Sequence, residues 1–142
     1  MISFKNILYP MDLDAETVSS VETALEFARL FQSKIHILYV NDIEAGYRHP
    51  ADHEDAVALR VRKEAPAHLL EGLEIVYATS KGDPAEEIVK YAREHKIDLI
   101  IVGHKHRSKI YSYMFDSVDV NVIDRAFLPI LVIPEKENPD KK

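Results

Sequence analysis

The chain has 142 residues, 46% of them apolar and 30% charged, with a net charge of −6 at pH 7 and no cysteine. That length and balance fit one domain with a sizeable buried core, and they exclude a disordered or collagen-like polymer. The acidic balance argues against a protein that coats nucleic acid, because phosphate binding needs a field of opposite sign over a broad face.

The missing thiols remove disulfides, thiolate zinc sites and cysteine nucleophiles together, and a reducing cytoplasm is the natural setting. The N-terminus reaches charge at Lys5 and Asp12 without an apolar run of signal-peptide length. No stretch approaches the roughly 20 apolar residues of a membrane helix. The expected organisation is an α/β domain over residues 1–135 and a solvated tail over residues 136–142.

In chain order, Ile7-Leu8-Tyr9 is a short apolar run ended by Pro10, which fits a buried strand. Asp14 can cap a helix in which Val18, Val21, Leu25 and Ala28 make one apolar face. Ile35 to Val40 is apolar and rich in strand formers, and reads as a second buried strand. A charged loop from Asn41 to Asp55 precedes a second helix with Val57, Val61, Ala65 and Leu69 at four-residue spacing, and Pro66 inside that pattern predicts a kink or an early end.

Leu73 to Ala78 alternates as a third strand. Gly82-Asp83-Pro84 predicts a helix start, with Asp83 as N-cap, Pro84 at the first helical position and Glu86 three residues after the cap. Ile88, Val89 and Ala92 form the inner face of that helix. Leu99-Ile100-Ile101-Val102 is a continuous apolar strand of the kind buried on both faces, ending at Gly103. Ser117 can cap a helix through Val118, Val122 and Ala126, and a last strand runs from Ile130 to Ile133 between Pro129 and Pro134. Five strands alternating with four helices imply right-handed βαβ units and an open parallel sheet with helices on both faces.

In such sheets the ligand crevice lies outside the strand C-termini, where the strand order reverses. The rule selects Pro10 to Asp14, Val40 to Asp42, and the stretch from Gly103 onward. Gly103 to Lys109 gathers Lys105, Arg107 and Lys109 with His104 and His106 in an otherwise acidic chain. It reads either as a solvated basic loop or as a phosphate site completed by backbone amides at the Ser117 helix start.

The ILYP run with Asp12, the Gly82-x-Pro84 turn, the DLIIVG strand and the closing P-ILVIP strand resemble the universal stress protein family from Lys5 to Pro134. The resemblance implies an adenine nucleotide alpha hydrolase-like, Rossmann-like sheet in the order 3-2-1-4-5. It also implies a homodimer pairing the last strands, here Ile130, Leu131, Val132 and Ile133. ATP-binding members carry Gly-x2-Gly-x9-Gly-Ser/Thr. The likeness carries adenosine contacts onto Pro10, Asp12 and Val40, and phosphate contacts onto Gly103, Ser117 and Val118; Met11, Val102 and Arg107 complete the candidate nucleotide-binding set.

Two of the loop's glycines are replaced, by His106 and Asp116. A side chain at His106 takes the space glycine leaves for the phosphates, yet a protonated imidazole could itself bind them. A carboxylate about 4 Å from a phosphate charge would repel it by roughly 4 kcal/mol at an effective dielectric of 20, about a thousandfold in affinity. Asp116 is either the stronger objection to ATP or, with Asp12, one of the carboxylates that hold Mg2+ against the phosphates. Read without a ligand, it is an acid stabilised at a helix N-terminus.

His49 and His53 have metal-ligand spacing without a third ligand, and Tyr111 to Phe115 fits a base-stacking cluster or a packing surface. A receiver domain would need an aspartate at the end of the third strand, where Tyr77-Ala78-Thr79 stands, and no serine lies in a G-x-S-x-G elbow. Three readings follow. One is a non-enzymatic dimeric stress-response module with a degenerate loop, and the second is a switch binding ATP or another adenine nucleotide with Mg2+. The third is a slow phosphohydrolase, for which no general base or positioned nucleophile is identified.

Overall fold

The structure is a computed structural model and describes residues 3–11, 20–41, 54–104 and 127–134. The strands are β1 (Asn6–Pro10), β2 (Lys34–Asn41), β3 (Ile75–Lys81), β4 (Leu99–His104) and β5 (Ile130–Pro134). The helices are α1 (Ser20–Phe31), α2 (Glu54–Glu64), α3 (Ala67–Leu70) and α4 (Pro84–Glu94). All strand pairings are parallel, in the order β3-β2-β1-β4-β5. The open sheet and strand order are those expected from the sequence.

Side-chain alternation sorts the core into two layers. Ile7, Tyr9, Ile35, Ile37 and Ile101 face α1 and α2, where they meet Val21, Leu25, Val57 and Val61. Leu8, Leu38, Val40, Ile100 and Val102 face the other way and meet Ile88 and Ala92 of α4. Since every one of these central-strand positions is apolar, the strands read as unbroken runs, as sheets covered on both faces require.

Several boundaries follow from local chemistry. The second helix ends at Glu64, ahead of Pro66, and the chain resumes as the short α3, so proline terminates the helix early. Leu69, predicted on that helix's apolar face, is still buried, now from α3. Arg29 of α1 fastens α3 in place: its Nη2 donates to the carbonyls of His68 (2.8 Å), Leu69 (3.1 Å) and Glu71 (2.5 Å). α4 starts as the sequence predicts, with Asp83 accepting from the Glu86 amide at 3.0 Å and Pro84 at the first helical position. Gly82 ahead of it has φ +137, a backbone conformation that favours glycine, and a Cβ there would press on the Glu87 side chain with Cγ at 3.3 Å.

Two strands run longer than the sequence pattern indicates. β3 extends beyond Ala78 to Lys81 because it stays in register with β2 through Asn41–Lys81, and this ladder outlasts the apolar alternation. β4 extends past Gly103 to His104 by pairing with Pro134. The proposed caps Asp14 and Ser117, the helix after Ser117, and residues 12–19, 42–53, 105–126 and 135–142 lie outside the described residues.

Candidate functional site

At the N-terminal end of the sheet, Asp98 ties β1 to β4: its Oδ2 accepts from the amides of Lys5 (2.7 Å) and Asn6 (2.9 Å), and its own amide donates to the Asn6 carbonyl (2.8 Å). At the C-terminal end the ladder between the same two strands stops. The register pairs between β1 and β4 are Ile7–Leu99 and Leu8–Ile100, whereas β1 stays paired with β2 through Pro10–Leu38.

The cause is a single residue. In a parallel ladder, successive residues turn their N–H and C=O groups to opposite neighbours. Asn6 turns its carbonyl toward β4, and the Met11 amide bonds the Leu38 carbonyl of β2 at 2.8 Å. Asn6, Leu8 and Pro10 therefore share the β4 side, and proline has no N–H to give there. The ladder stops after Leu8. The missing donor leaves the sheet unlaced at the strand-order reversal, the place where open α/β sheets bind ligands.

The described candidate residues lie at these strand ends. Pro10, Val40 and Val102 are buried on the α4 side, Met11 is fully buried on the α1 side, and Gly103 is half-buried at the end of β4. The Met11 and Val102 side chains belong to the core, which leaves only backbone at these two positions for any ligand. Asp12, His106, Arg107, Asp116, Ser117 and Val118 lie outside the described residues, as do His49, His53 and the Tyr111 to Phe115 cluster.

The longer β3 adds a residue the sequence reading missed: Ser80 stands in register beside Val40. Asn41, inside the selected Val40 to Asp42 stretch and 7% exposed, accepts from the Gly82 amide at 3.0 Å through its carbonyl. The signal for Ser80 was the Gly82-Asp83-Pro84 turn: a strand feeding that turn directly carries it to the sheet's C-terminal end.

The ionisable groups with displaced titration lie elsewhere. His36 of β2 is 3% exposed, and burial holds its pKa at about 4, with the neighbouring His95 and Lys34 pushing the same way and Glu74 opposing. Burial pushes the Tyr91 hydroxyl up to about 12. Both sit toward the N-terminal end of the sheet, remote from Gly103. Among the described residues, no group of three His, Cys, Asp or Glu side chains could hold a metal ion, and no helix is long and apolar enough to cross a membrane.

The topology also disposes of the receiver reading. That architecture has the order 2-1-3-4-5, with its third strand inside the sheet. Here β3 is an edge strand and ends in Ser80-Lys81.

Residues 3–134 match the universal stress protein family. The chain belongs to that family. Universal stress protein MJ0531 of Methanocaldococcus jannaschii is 28% identical over 94% of this chain and 85% of its own length. A crystal structure of a universal stress protein in complex with cAMP superposes with a TM-score of 0.68 at 21% identity, covering 95% of this chain and all (100%) of the other. The Archaeoglobus fulgidus universal stress protein in complex with dAMP gives 0.56 at 22% identity, over 93% and 99% of the two chains. This universal stress protein thus shares its fold with proteins solved with adenine nucleotides.

Proposed function

We propose that this universal stress protein is a cytoplasmic regulatory module that binds an adenine nucleotide at the C-terminal ends of β1, β2 and β4. The observation that supports the reading is the end of the β1–β4 ladder ahead of Pro10, with Gly103 at the end of β4. The adenosine end would lie along Pro10, Met11, Asp12 and Val40. The phosphate end would meet Val102, Gly103, Arg107, Ser117 and Val118.

Loop chemistry favours a ligand with few phosphates. Each added phosphate charge raises the repulsion from Asp116, whereas a monophosphate can be served by Gly103 and the helix start expected from the sequence at Ser117. The cAMP and dAMP complexes of the fold neighbours support this preference, since each of those ligands carries a single phosphate. ATP demands more of the loop. Mg2+ between Asp12, Asp116 and the phosphates is the arrangement that would restore it.

Thermal unfolding tests the reading. At a hundred times its Kd, a bound nucleotide adds about 2.7 kcal/mol to stability. AMP or cAMP is expected to raise the Tm more than ATP without Mg2+, and the doubly substituted His106→Gly, Asp116→Gly protein to narrow that difference. No shift with any adenine nucleotide would sink the proposal.

A second reading, a non-enzymatic dimer acting through protein contacts without tight ATP binding, is favoured by the same two replaced glycines. Its surface would be the edge strand β5. Ile130, Leu131, Val132 and Ile133 are only half-buried in the single chain, and Phe127 just before them is 89% exposed. Leu131→Lys is expected to halve the mass seen by light scattering while the protein keeps its cooperative melt. A folded variant of unchanged mass would reject the β5 interface.

A further inference from the structure

His36 stands outside the crevice and has no part in the proposed function, yet among the histidines whose burial is described it is the enclosed one, at 3% exposure. It projects from β2 toward the last turn of α4. Its Nδ1 lies 2.8 Å from the Tyr91 hydroxyl and its Nε2 3.3 Å from Asn6 Oδ1. Because the amide oxygen only accepts, Nε2 carries the proton, and Nδ1 accepts from the Tyr91 hydroxyl. This arrangement uses neutral imidazole on both sides.

The surroundings hold Tyr91 in place and oppose a positive charge. The Tyr91 ring stacks on His95 at 3.8 Å and 15°, and the His95 ring lies 5.5 Å from that of His36. The charged or titratable neighbours are Tyr91 and His95 from α4, and Lys34 two residues earlier on β2. Glu74 ahead of β3 is spent on Lys34 at 3.8 Å, and Asp98 reaches the cluster only through the Asn6 amide. The single carboxylate acting directly on His36 is thus shared, and burial outweighs it.

The turn that His36 grips is also a helix terminus, where opening is easiest. α4 ends at Glu94, His95 donates to the Tyr91 carbonyl, and Lys96 takes a φ of +52 as the chain reverses toward β4. Helix ends fray first unless tied down.

We infer that Tyr91, His36 and Asn6 form an acid-released latch that fastens the last turn of α4 to the sheet. Protonating His36 puts a hydrogen on Nδ1, reverses the bond to Tyr91 and places a charge in an apolar layer. The turn then opens, hydrating His36, while the sheet remains closed. Its release uncovers Ala92 and Ile97, which pack on Leu8 and Ile100.

Amide hydrogen exchange on the full chain, corrected for the intrinsic pH dependence, tests the latch. With His36 titrating near 6.5 when open and about 4 when latched, the opening constant of the His95 and Ile97 amides should rise roughly 30-fold between pH 7.5 and 5.0. It should exceed that of the Leu38 and Ile100 amides at every pH. His36→Gln should flatten the rise to less than about threefold. A rise that persists in the variant, or last-turn amides that open only together with the sheet, would overturn the latch. Should the variant fail to fold, NMR of the wild-type imidazole decides: a His36 ring that titrates near 6.5 in the folded protein refutes it, and one still neutral at pH 5 sustains it.

Discussion

Leu8→Ala is expected to destabilise the protein by about 4 kcal/mol, the upper half of the range for buried leucines. Leu8 is fully buried in the central strand, beside His36 on β2 and Ile100 on β4, under Ile88 and Ala92 of α4. It is in register with a strand on each side, so the surrounding backbone has little freedom to collapse into the cavity. Leu30→Ala supplies the contrast. That leucine is 74% exposed on α1, and its truncation should change stability by no more than about 0.5 kcal/mol. Urea unfolding with a shared m value measures both. A loss below about 2 kcal/mol at Leu8 would mean the α4 layer is far looser than its burial implies.

Acidification is expected to remove about 3 kcal/mol of global stability through His36 alone. In the unfolded chain this imidazole takes up its proton near pH 6.5; in the folded protein it does so only at about 4. Between those values the unfolded state binds more protons, so falling pH favours unfolding. The contribution is complete above pH 6.5 and is lost progressively down to about pH 4. Carboxylates add their own dependence in the lower part of this window, and His36→Gln separates the two. The variant should lose about 3 kcal/mol less than the wild type between pH 7 and pH 4 by urea unfolding. Equal losses would show that His36 titrates alike in both states.

Much of the fold was legible because its elements rest on local chemistry. Pro66 and the Gly82-Asp83-Pro84 turn each act within a few residues, and the apolar runs of β1, β2 and β4 need only burial on two faces. What local pattern could not reach was set by pairing across the sheet. β3 reads as ending at Ala78 because Thr79, Ser80 and Lys81 are polar, yet β2 holds them in register. His36 reads as one polar residue in an apolar strand. Its role depends on Tyr91, 55 positions away.

The strand ends that would border a crevice were legible through Pro10 and Gly103, since topology alone places them. The cause of the ladder's end was not, because the side on which Pro10 lacks its donor follows from the alternation of the ladder. The loop glycines replaced by His106 and Asp116 were visible directly, as a departure from the family's pattern.

Pro10 has a consequence for the newly made chain as well. Its sheet partner on one side, β2, follows within the next 31 residues, but the partner on the other, β4, ends only at His104. Until β4 arrives, the apolar β1 has a raw edge on which another nascent strand could template itself. A proline on an exposed edge blunts such pairing. The residue that ends the β1–β4 ladder in the finished sheet therefore also guards the unfinished one against its own copies.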